Sequence, residues 1–507
     1  MPDDLHDLDQ DLTRPLAGAK EASVAEGGTS PAVGRDEWVA RHGEHRAVRS
    51  GFLGKLEQRL RVVPWWAWLV LFLAVFALLP LGFESGYVRR VAFDTVLFML
   101  LALGLNVVVG WGGLLDLGYV AFYGIGAYTY AFLASDKFDL HLPTIVVLPL
   151  VVVIGAVAGY LVGLPSRRLT GDYLAIVTLF FLLLFGTMTT NGNDAFGRDL
   201  TGGANGILNA DPLSLFGREL VVTKDGIFNV AYLYVVLAAF AIVYVALRFF
   251  NDSRTGRAWR SLREDPLAAE LMGMPVNSLK LLAFSCGAAV AALTGSFLAA
   301  LSSSVFPQTF SFALLITIYT MVILGGAGSQ AGAVLGAIVI SVGLELLREP
   351  GNSRFLFYAA VILCVLSLYR ASVELAVIVG GTLGFGFLVR ELAGRIDDSW
   401  VGGVVNEGGR LGDGIADWVI VPVTLETWVG PVAYVSLIAL LLALTLLDGW
   451  WRVALLIPTL YLGAFVWENV LLARPEVTRY ILLGAMLVGL MIVRPNGLLG
   501  EKRVQVV

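Results

Sequence analysis

The residues that could do chemistry in this sequence are few, and they are suited to binding rather than to catalysis. Asp116 is a carboxylate inside an apolar, glycine-rich stretch, and Asn106 precedes it in the same stretch. An ionised side chain costs about 2.5–3.5 kcal/mol at the centre of a lipid-facing helix, so we expect Asp116 to face protein or water. It could meet the charged end of a small solute, or it could cap a helix. Both interpretations stay open.

The sequence shows no set of residues for catalysis, metal binding or nucleotide binding. Its two cysteines, Cys286 and Cys364, lie inside apolar runs, and its four histidines are scattered. No string fits the phosphate-binding pattern G-x-x-x-x-G-K-[ST]. We therefore predict that the chain is not an enzyme, that it binds no metal or cofactor, and that any ATP is used by a separate subunit.

The composition is that of a membrane protein. Hydrophobic residues make up 57% of the chain, charged residues only 15%, and the mean hydropathy is +0.78. A soluble globular domain carries more charge than this. The 57 glycines suit helices that pack closely in a bilayer. The lipid bilayer is the expected environment, and nucleic acid is not an expected partner.

Hydrophobic segments of membrane-spanning length recur along the chain. A helix needs about 20 apolar residues to cross a bilayer. Several segments are short or interrupted by glycine, so we predict an all-α polytopic membrane protein with about 10–14 transmembrane or half-membrane helices. The candidate spans are 65–83, 91–110, 119–135, 143–164, 172–190, 229–249, 279–301, 311–326, 330–347, 355–369, 371–389, 429–447, 450–468 and 477–493.

The distribution of charge predicts how the chain crosses the membrane. With the N-terminus inside, alternating spans place the polar loop 251–280 and the basic end Arg494–Arg503 in the cytoplasm. The loops 191–228 and 390–428 then lie outside, where acidic residues outnumber basic ones by five to three and by seven to three. This arrangement follows the positive-inside rule. We predict that both termini are cytoplasmic.

Four regions follow from these patterns. Residues 1–64 combine an acidic tail, predicted to be disordered, with a basic amphipathic segment expected to lie on anionic lipid. Residues 65–350 hold the core spans and the polar loop. Residues 351–476 add hydrophobic segments around the loop 390–428, and residues 477–507 hold a final span and a cytoplasmic tail.

Two glycine-rich stretches interrupt the helical pattern, one in each half of the core. They are Leu103–Ser135 and Met321–Ile340. Each glycine costs about 1 kcal/mol relative to alanine inside a helix, so both stretches predict broken helices. Broken backbone is tolerated at membrane depth where it lines a cavity, as around the central site of a transporter. Close helix packing would explain the same glycines.

The polar loop 251–280 lies between two strongly hydrophobic regions. From Arg248 to Lys280 it has six basic and four acidic residues, as expected on the cytoplasmic side. Pro266 fits the first turn of a short helix, and Gly273 with Pro275 supplies its end. Such a helix can dock in a groove of another protein or lie on the membrane surface.

These stretches resemble the branched-chain amino acid permease family of ABC transporters. The family commonly has Ser and His where this chain has Asp116 and Tyr119. The resemblance covers roughly 90–350 and 480–500 and lapses between them. The matching motifs are Ala268–Gly273 in the loop, Gly104–Asn106, Gly113–Gly118 and Phe122–Tyr128 in the first glycine-rich stretch, Met321–Ile340 in the second, and Arg494–Leu498 at the end.

The resemblance implies a type II ABC importer-like permease core plus extra C-terminal helices, in a bacterial cytoplasmic membrane. It implies ABC ATPase subunits, a second homologous permease and an extracytoplasmic solute-binding protein as partners. The ATPase-coupling residues would be Arg263, Ala268, Ala269, Glu270, Met272 and Gly273. The substrate pathway would include Asn106, Gly113, Asp116, Gly118, Gly325 and Gly326.

The implied function is import of branched-chain amino acids by alternating access. Urea or another small polar solute is an alternative, because the change at Asp116 alters the polarity of the stretch. An ion-coupled secondary transporter ranks lower. It predicts paired charges inside the membrane, whereas the acidic candidates lie near predicted span ends. These candidates are Asp94, Glu345, Glu374 and Glu468.

Overall fold

The computed structural model describes residues 64–82, 86–167, 171–194, 199–215, 227–348, 350–369, 373–403 and 417–472, with shorter stretches between and after them. The chain divides into two compact units, Met1–Val70 and Leu71–Val507. The predicted disordered tail and the basic amphipathic segment lie outside the described residues. So do most of the final span and the basic C-terminal tail.

The described residues are mainly helical, because a helix satisfies the backbone hydrogen bonds of a long apolar run internally. A π-helical turn, Asn106–Trp111, extends the helix that ends at Leu105, and another, Trp467–Leu471, extends the helix that ends at Val466. The helices are α1 (Trp65–Gly82), α2 (Gly86–Leu105), α3 (Tyr119–Leu133), α4 (Thr144–Ser166), α5 (Asp172–Thr190), α6 (Val230–Asp252), α7 (Arg254–Glu264), α8 (Pro266–Leu271), α9 (Val276–Ser302), α10 (Phe312–Gly325), α11 (Gln330–Leu346), α12 (Pro350–Tyr369), α13 (Val373–Ile396), α14 (Val429–Leu446) and α15 (Trp450–Val466).

The predicted all-α polytopic class is confirmed. Among the described residues, nine helices are long and apolar enough to cross a membrane, or ten if the bent pair Gln330–Leu346 and Gly351–Leu366 is one span. Shorter apolar helices explain why the sequence suggests more. For example, α3 has only 15 residues and is buried over most of its length. The glycine-rich stretches do interrupt helices, at residues 112–118 and 326–329.

Helix α9 runs from one end of the helical bundle to the other. It begins at Val276, inside the last part of the polar loop 251–280, and ends at Ser302, one residue before a short strand. Its 27 residues span about 40 Å at 1.5 Å per residue. We call one end the loop end, with residues 112–118, 254–275 and 326–329, and the other the strand end, with residues 134–141, 199–215 and 303–309.

Two-residue strands form small antiparallel pairs, four of them among the described residues. One pair joins the long loop after α5 to the residues that follow α9, because Ile207 pairs with Val305. Ser135 also forms a bridge with Ala210. The strands are β1 (Ala134–Ser135), β2 (Leu140–His141), β3 (Ile207–Leu208), β4 (Ser214–Leu215), β5 (Arg218–Glu219), β6 (Thr223–Lys224), β7 (Ile227–Phe228) and β8 (Ser304–Val305).

His141 at the strand end lies among three aspartates, and its interaction with them depends on pH. Its Nδ1 lies 2.8 Å from Asp211 Oδ2, and its Nε2 lies 3.8 Å from carboxylate oxygens of Asp136 and Asp139. The hydrogen bond and charge of Asp211, with smaller contributions from the other two carboxylates, raise the pKa of His141 above 6.5. A raised pKa means that the folded state binds the proton more tightly than the unfolded state.

We expect this contact to stabilise the protein fully below about pH 6.5 and to lose its effect as the pH rises through the folded-state pKa of His141. The measurement is thermal stability of the native chain and His141→Gln in detergent, from about pH 5 to about pH 9. The native chain should exceed His141→Gln in melting temperature by the largest margin at the acid end of this range. A difference that stays constant with pH would contradict the assignment.

A buried ion pair joins α12 to the π-helical turn after α15. Arg354 Nε donates to Glu468 Oε1 at 3.0 Å, and its Nη2 donates to Oε2 at 3.0 Å. The two side chains are only 4% and 2% exposed. Tyr358 donates a further hydrogen bond to Oε1 at 3.2 Å, and Trp467 stacks on Phe357. The carboxylate that the sequence places near a span end is therefore a buried, fully partnered group.

Candidate functional site

The two glycine-rich interruptions meet at the loop end. Asn106 Oδ1 accepts a hydrogen bond from Gly328 N at 2.8 Å, and Trp111 Nε1 donates to Gly328 O at 2.9 Å. The Gly328 peptide is thus held on both sides by the π-helical turn after α2. Gly328 has φ +97°, a conformation that favours glycine. We call residues 106–118 and 326–329 the two breaks.

Asp116 lies in the first break and is completely buried. Its Oδ1 accepts a hydrogen bond from Gly118 N at 2.9 Å, which caps the beginning of α3. Tyr319 on α10 accepts from Asp116 N at 3.0 Å and donates to Asp116 O at 2.7 Å. The second carboxylate oxygen, Oδ2, has no hydrogen-bond partner among the described residues. The geometry therefore supports the cap and leaves the second carboxylate oxygen buried without a partner among the described residues.

The first break contains a second buried polar group without a partner among the described residues, on Asn106. Asn106 uses its Oδ1 for Gly328, while its Nδ2 has no hydrogen-bond partner among the described residues. Buried polar groups are normally paired, so each exception calls for an explanation. Asn106 Nδ2 is a hydrogen-bond donor and Asp116 Oδ2 is an acceptor.

Four of the predicted pathway glycines serve close packing or turns. A Cβ at Gly118 would lie 2.6 Å from Thr178 O, and one at Gly325 would overlap Gly332 O. Gly113 and Gly326 have φ +66° and +112°, which side chains rarely adopt. The packing interpretation of the glycines therefore has direct geometric support. Nothing in these contacts tests whether the same glycines line a solute pathway.

The predicted short helix of the loop is α8, and a second helix, α7, precedes it. Ser253 caps α7, since its Oγ accepts from Gly256 N, and Asp265 caps α8, since its Oδ1 accepts from Leu267 N and Ala268 N. Helix α8 begins at Pro266, as the sequence predicts. Gly273 follows it with φ +79°, which provides the turn into α9.

Helix α8 presents an apolar surface to its surroundings. The exposed fractions of Leu267, Leu271 and Met272 are 67%, 81% and 81%. Ala269 is buried, whereas Ala268 and Glu270 are exposed. Large apolar side chains that share one exposed surface are typical of sites that bind protein or membrane. This surface is at the end of the bundle that holds both breaks.

Arg263 lies at the inner side of the loop rather than beside Glu270 on the exposed surface. Its guanidinium donates to Gly110 O at 2.6 Å and reaches Ala327 O at 3.4 Å. Among the predicted coupling residues, it is the one that contacts the breaks.

Sequence reasoning missed Trp259, which is completely buried and fixes α7. Its Nε1 donates to Leu279 O at 2.9 Å, and its ring stacks on Trp111 with ring centroids 6.1 Å apart. The sequence does carry a signal for its burial, because Trp259 is the only tryptophan in the polar loop 251–280. A lone large aromatic residue on a polar helix marks the side that is buried.

A helical bundle with several apolar spans, paired interruptions and a polar loop is the architecture of a multi-pass membrane protein. The family model described as "Branched-chain amino acid transport system / permease component" matches residues 87–367, which is more than half of the 507 residues. The chain belongs to this family. Arg354 lies inside the matched range, and Glu468 lies in the region beyond it.

Individual relatives agree with the family match. The high-affinity branched-chain amino acid transport system permease protein LivM of Salmonella typhimurium is 39% identical over 276 residues, which are 51% of this chain and 63% of that protein. LivH from the same transport system of that organism is 25% identical over 261 residues, 48% of this chain and 80% of LivH. The fructose import permease protein FrcC of Rhizobium meliloti is 24% identical over 225 residues, 42% of this chain and 59% of FrcC. No solved structure matches the chain.

Proposed function

We propose that this chain is the membrane-spanning permease subunit of an ATP-driven importer for branched-chain amino acids. The observation that carries the proposal is the exposed apolar surface of α8, displayed beside the two breaks. An exposed surface of this kind suits docking of an ATPase, whose movement could then reach the solute pathway. ATP is bound and hydrolysed by that separate chain.

The solute assignment is supported by the relatives. The 39% identity to LivM exceeds the 24% identity to the fructose permease. The unpartnered Asp116 Oδ2 and Asn106 Nδ2 suit a ligand with an ammonium group and a carboxylate. Urea carries neither charge. Urea is the less favoured alternative, and a direct comparison of leucine uptake with urea uptake separates the two.

The proposed assembly contains ABC ATPase subunits, a second permease of the same family and an extracytoplasmic solute-binding protein. Similarity to both LivM and LivH supports two related permeases in one transporter. The strand end would receive the solute-binding protein, and α8 at the opposite end would contact the ATPase in the cytoplasm. We place the assembly in a bacterial cytoplasmic membrane with both termini inside.

Gly273 offers a sharp test of the coupling loop. A Cβ at Gly273 would meet nothing within 4 Å, while the φ of +79° penalises most side chains. Asn tolerates this conformation and a β-branched residue does not. We expect Gly273→Val to strain the turn by about 1–2 kcal/mol and to lower ATP-dependent leucine uptake, whereas Gly273→Asn keeps most of it.

The measurement is uptake of leucine and of urea into vesicles that contain the whole importer. ATP-dependent leucine uptake that responds to Gly273→Val supports the proposal. Preference for urea would overturn the solute assignment. Uptake that needs no ATPase, follows an ion gradient and is equal in both variants would favour the secondary transporter instead.

A further inference from the structure

Arg263 connects the polar loop to both breaks at once. Its Nη1 donates to Gly110 O at 2.6 Å and to Ala327 O at 3.4 Å, and its Nη2 lies 3.5 Å from the same Ala327 oxygen. Gly110 belongs to the first break and Ala327 to the second. Arginine keeps its charge at physiological pH, and hydrogen bonds from a charged donor are stronger than neutral ones. One guanidinium thus holds two separate backbone segments together.

Glycines create the space that this guanidinium occupies. A Cβ at Gly328 would lie 2.5 Å from Arg263 Nη1, and a Cβ at Gly113 would lie 2.9 Å from its Cγ. Both glycines also have positive φ values. Part of the glycine content of the breaks is therefore explained by the approach of Arg263.

The backbone around Arg263 is suited to transmit movement. Trp259, one helical turn earlier, fixes α7 to Leu279 at the beginning of α9. On the other side, only Glu264 and Asp265 separate Arg263 from the first residue of α8. A displacement of α8 consequently reaches the guanidinium through a short, capped connection rather than through a long flexible loop.

We propose that Arg263 is a positioning residue that links displacement of α8 to both breaks, so that they move together when the ATPase acts. This inference rests on the proposed function, in which α8 contacts the ATPase. Arg263 touches neither ATP nor solute in this role. It sets how much solute moves for each ATP hydrolysed.

The test compares three variants in the complete importer reconstituted in vesicles. Arg263→Met keeps a long side chain without donors, and Arg263→Lys keeps a charge without the forked geometry. Arg260→Met is the matched control, because within the part of the chain that the structure describes Arg260 donates to Gly256 O in α7 and Asn251 O at the end of α6, and not to the breaks. ATP hydrolysis and leucine uptake are measured on the same preparation.

We expect Arg263→Met to keep the ATPase rate and to lower uptake about tenfold, which raises the ATP consumed per leucine by the same factor. Arg263→Lys should fall between it and the native chain, and Arg260→Met should match the native chain. If Arg263→Met does not accumulate in membranes, Arg263→Lys decides. An unchanged ratio of ATP to leucine in that variant overturns the inference.

The controls distinguish this inference from the proposed function. A native complex without ATP-dependent leucine uptake contradicts the proposed function itself. A native complex that transports normally, with hydrolysis and uptake falling in parallel in Arg263→Met, contradicts the inference alone, because a merely structural role lowers both activities together.

Discussion

Glu468→Ala should lower the free energy of unfolding by about 3–5 kcal/mol, because it removes the carboxylate that neutralises the buried guanidinium of Arg354. The carboxylate accepts three hydrogen bonds from Arg354 and one from Tyr358. Neither charged group can turn toward water, since both side chains are almost completely buried. The measurement is thermal unfolding of the purified chain in detergent, with its membrane yield as a second readout.

A double replacement provides the control for this prediction. In Arg354→Met with Glu468→Leu, no charge remains to be desolvated, so stability should return to near or above the native value. Arg354→Met alone should be as harmful as Glu468→Ala, since it leaves a buried carboxylate. If the double variant is less stable than either single one, the pair is not the source of the loss.

The Arg354–Glu468 pair crosses the end of the range that the family model matches. Both residues lie in the region 351–476, Arg354 inside the matched range and Glu468 beyond it, so loss of the pair should loosen α12 from the turn that follows α15. The lower-ranked secondary transporter predicted paired charges inside the membrane. Arg354 and Glu468 are such a pair, but they are bound bidentately to each other, as in a structural link.

The prediction of the loop helix succeeded because helix capping is local. Asp265, Pro266 and Gly273 are all within one short stretch, and each has a conformational preference that the neighbouring residues do not override. The nine spans found among the described residues were equally accessible, since the length and hydropathy of each follow from the order of its residues. These features needed no knowledge of the tertiary structure.

The contacts between distant segments were not accessible in this way. Arg263 resembles the other basic residues of the loop, and only the folded chain shows that it lies against Gly110 and Ala327. The Arg354–Glu468 pair joins residues 114 positions apart. Side-chain type predicts that such a charge needs a partner, but the choice of partner depends on how the helices pack.

The glycines also show where a pattern has two explanations. Glycine within an apolar stretch predicts either broken backbone or close packing, and both physical causes act in this chain. Gly326 and Gly328 lie in a turn with positive φ, whereas Gly325 and Gly332 pack against each other. Backbone angles and neighbouring atoms are needed to tell these cases apart.

Gly126→Ala and Gly295→Ala should each strongly destabilise the crossing of α3 and α9. A Cβ at Gly126 would overlap Ala292 O, and a Cβ at Gly295 would overlap Tyr123 O. The obstacles are backbone atoms inside helices, so no side chain can rotate away to make room. We expect a loss of about 1–3 kcal/mol or more for each replacement, measured as lower thermal stability and lower membrane yield.

Gly186→Ala is the matched control, because Gly186 also lies within a helix, α5, but a Cβ there would meet nothing within 4 Å. Alanine has the higher helix propensity by about 1 kcal/mol, so this replacement should be neutral or stabilising. Gly→Ala is thus expected to lower stability at Gly126 and Gly295 and to leave it unchanged or raise it at Gly186. Equal losses at Gly126, Gly295 and Gly186 would mean that the close crossing of α3 and α9 does not depend on glycine.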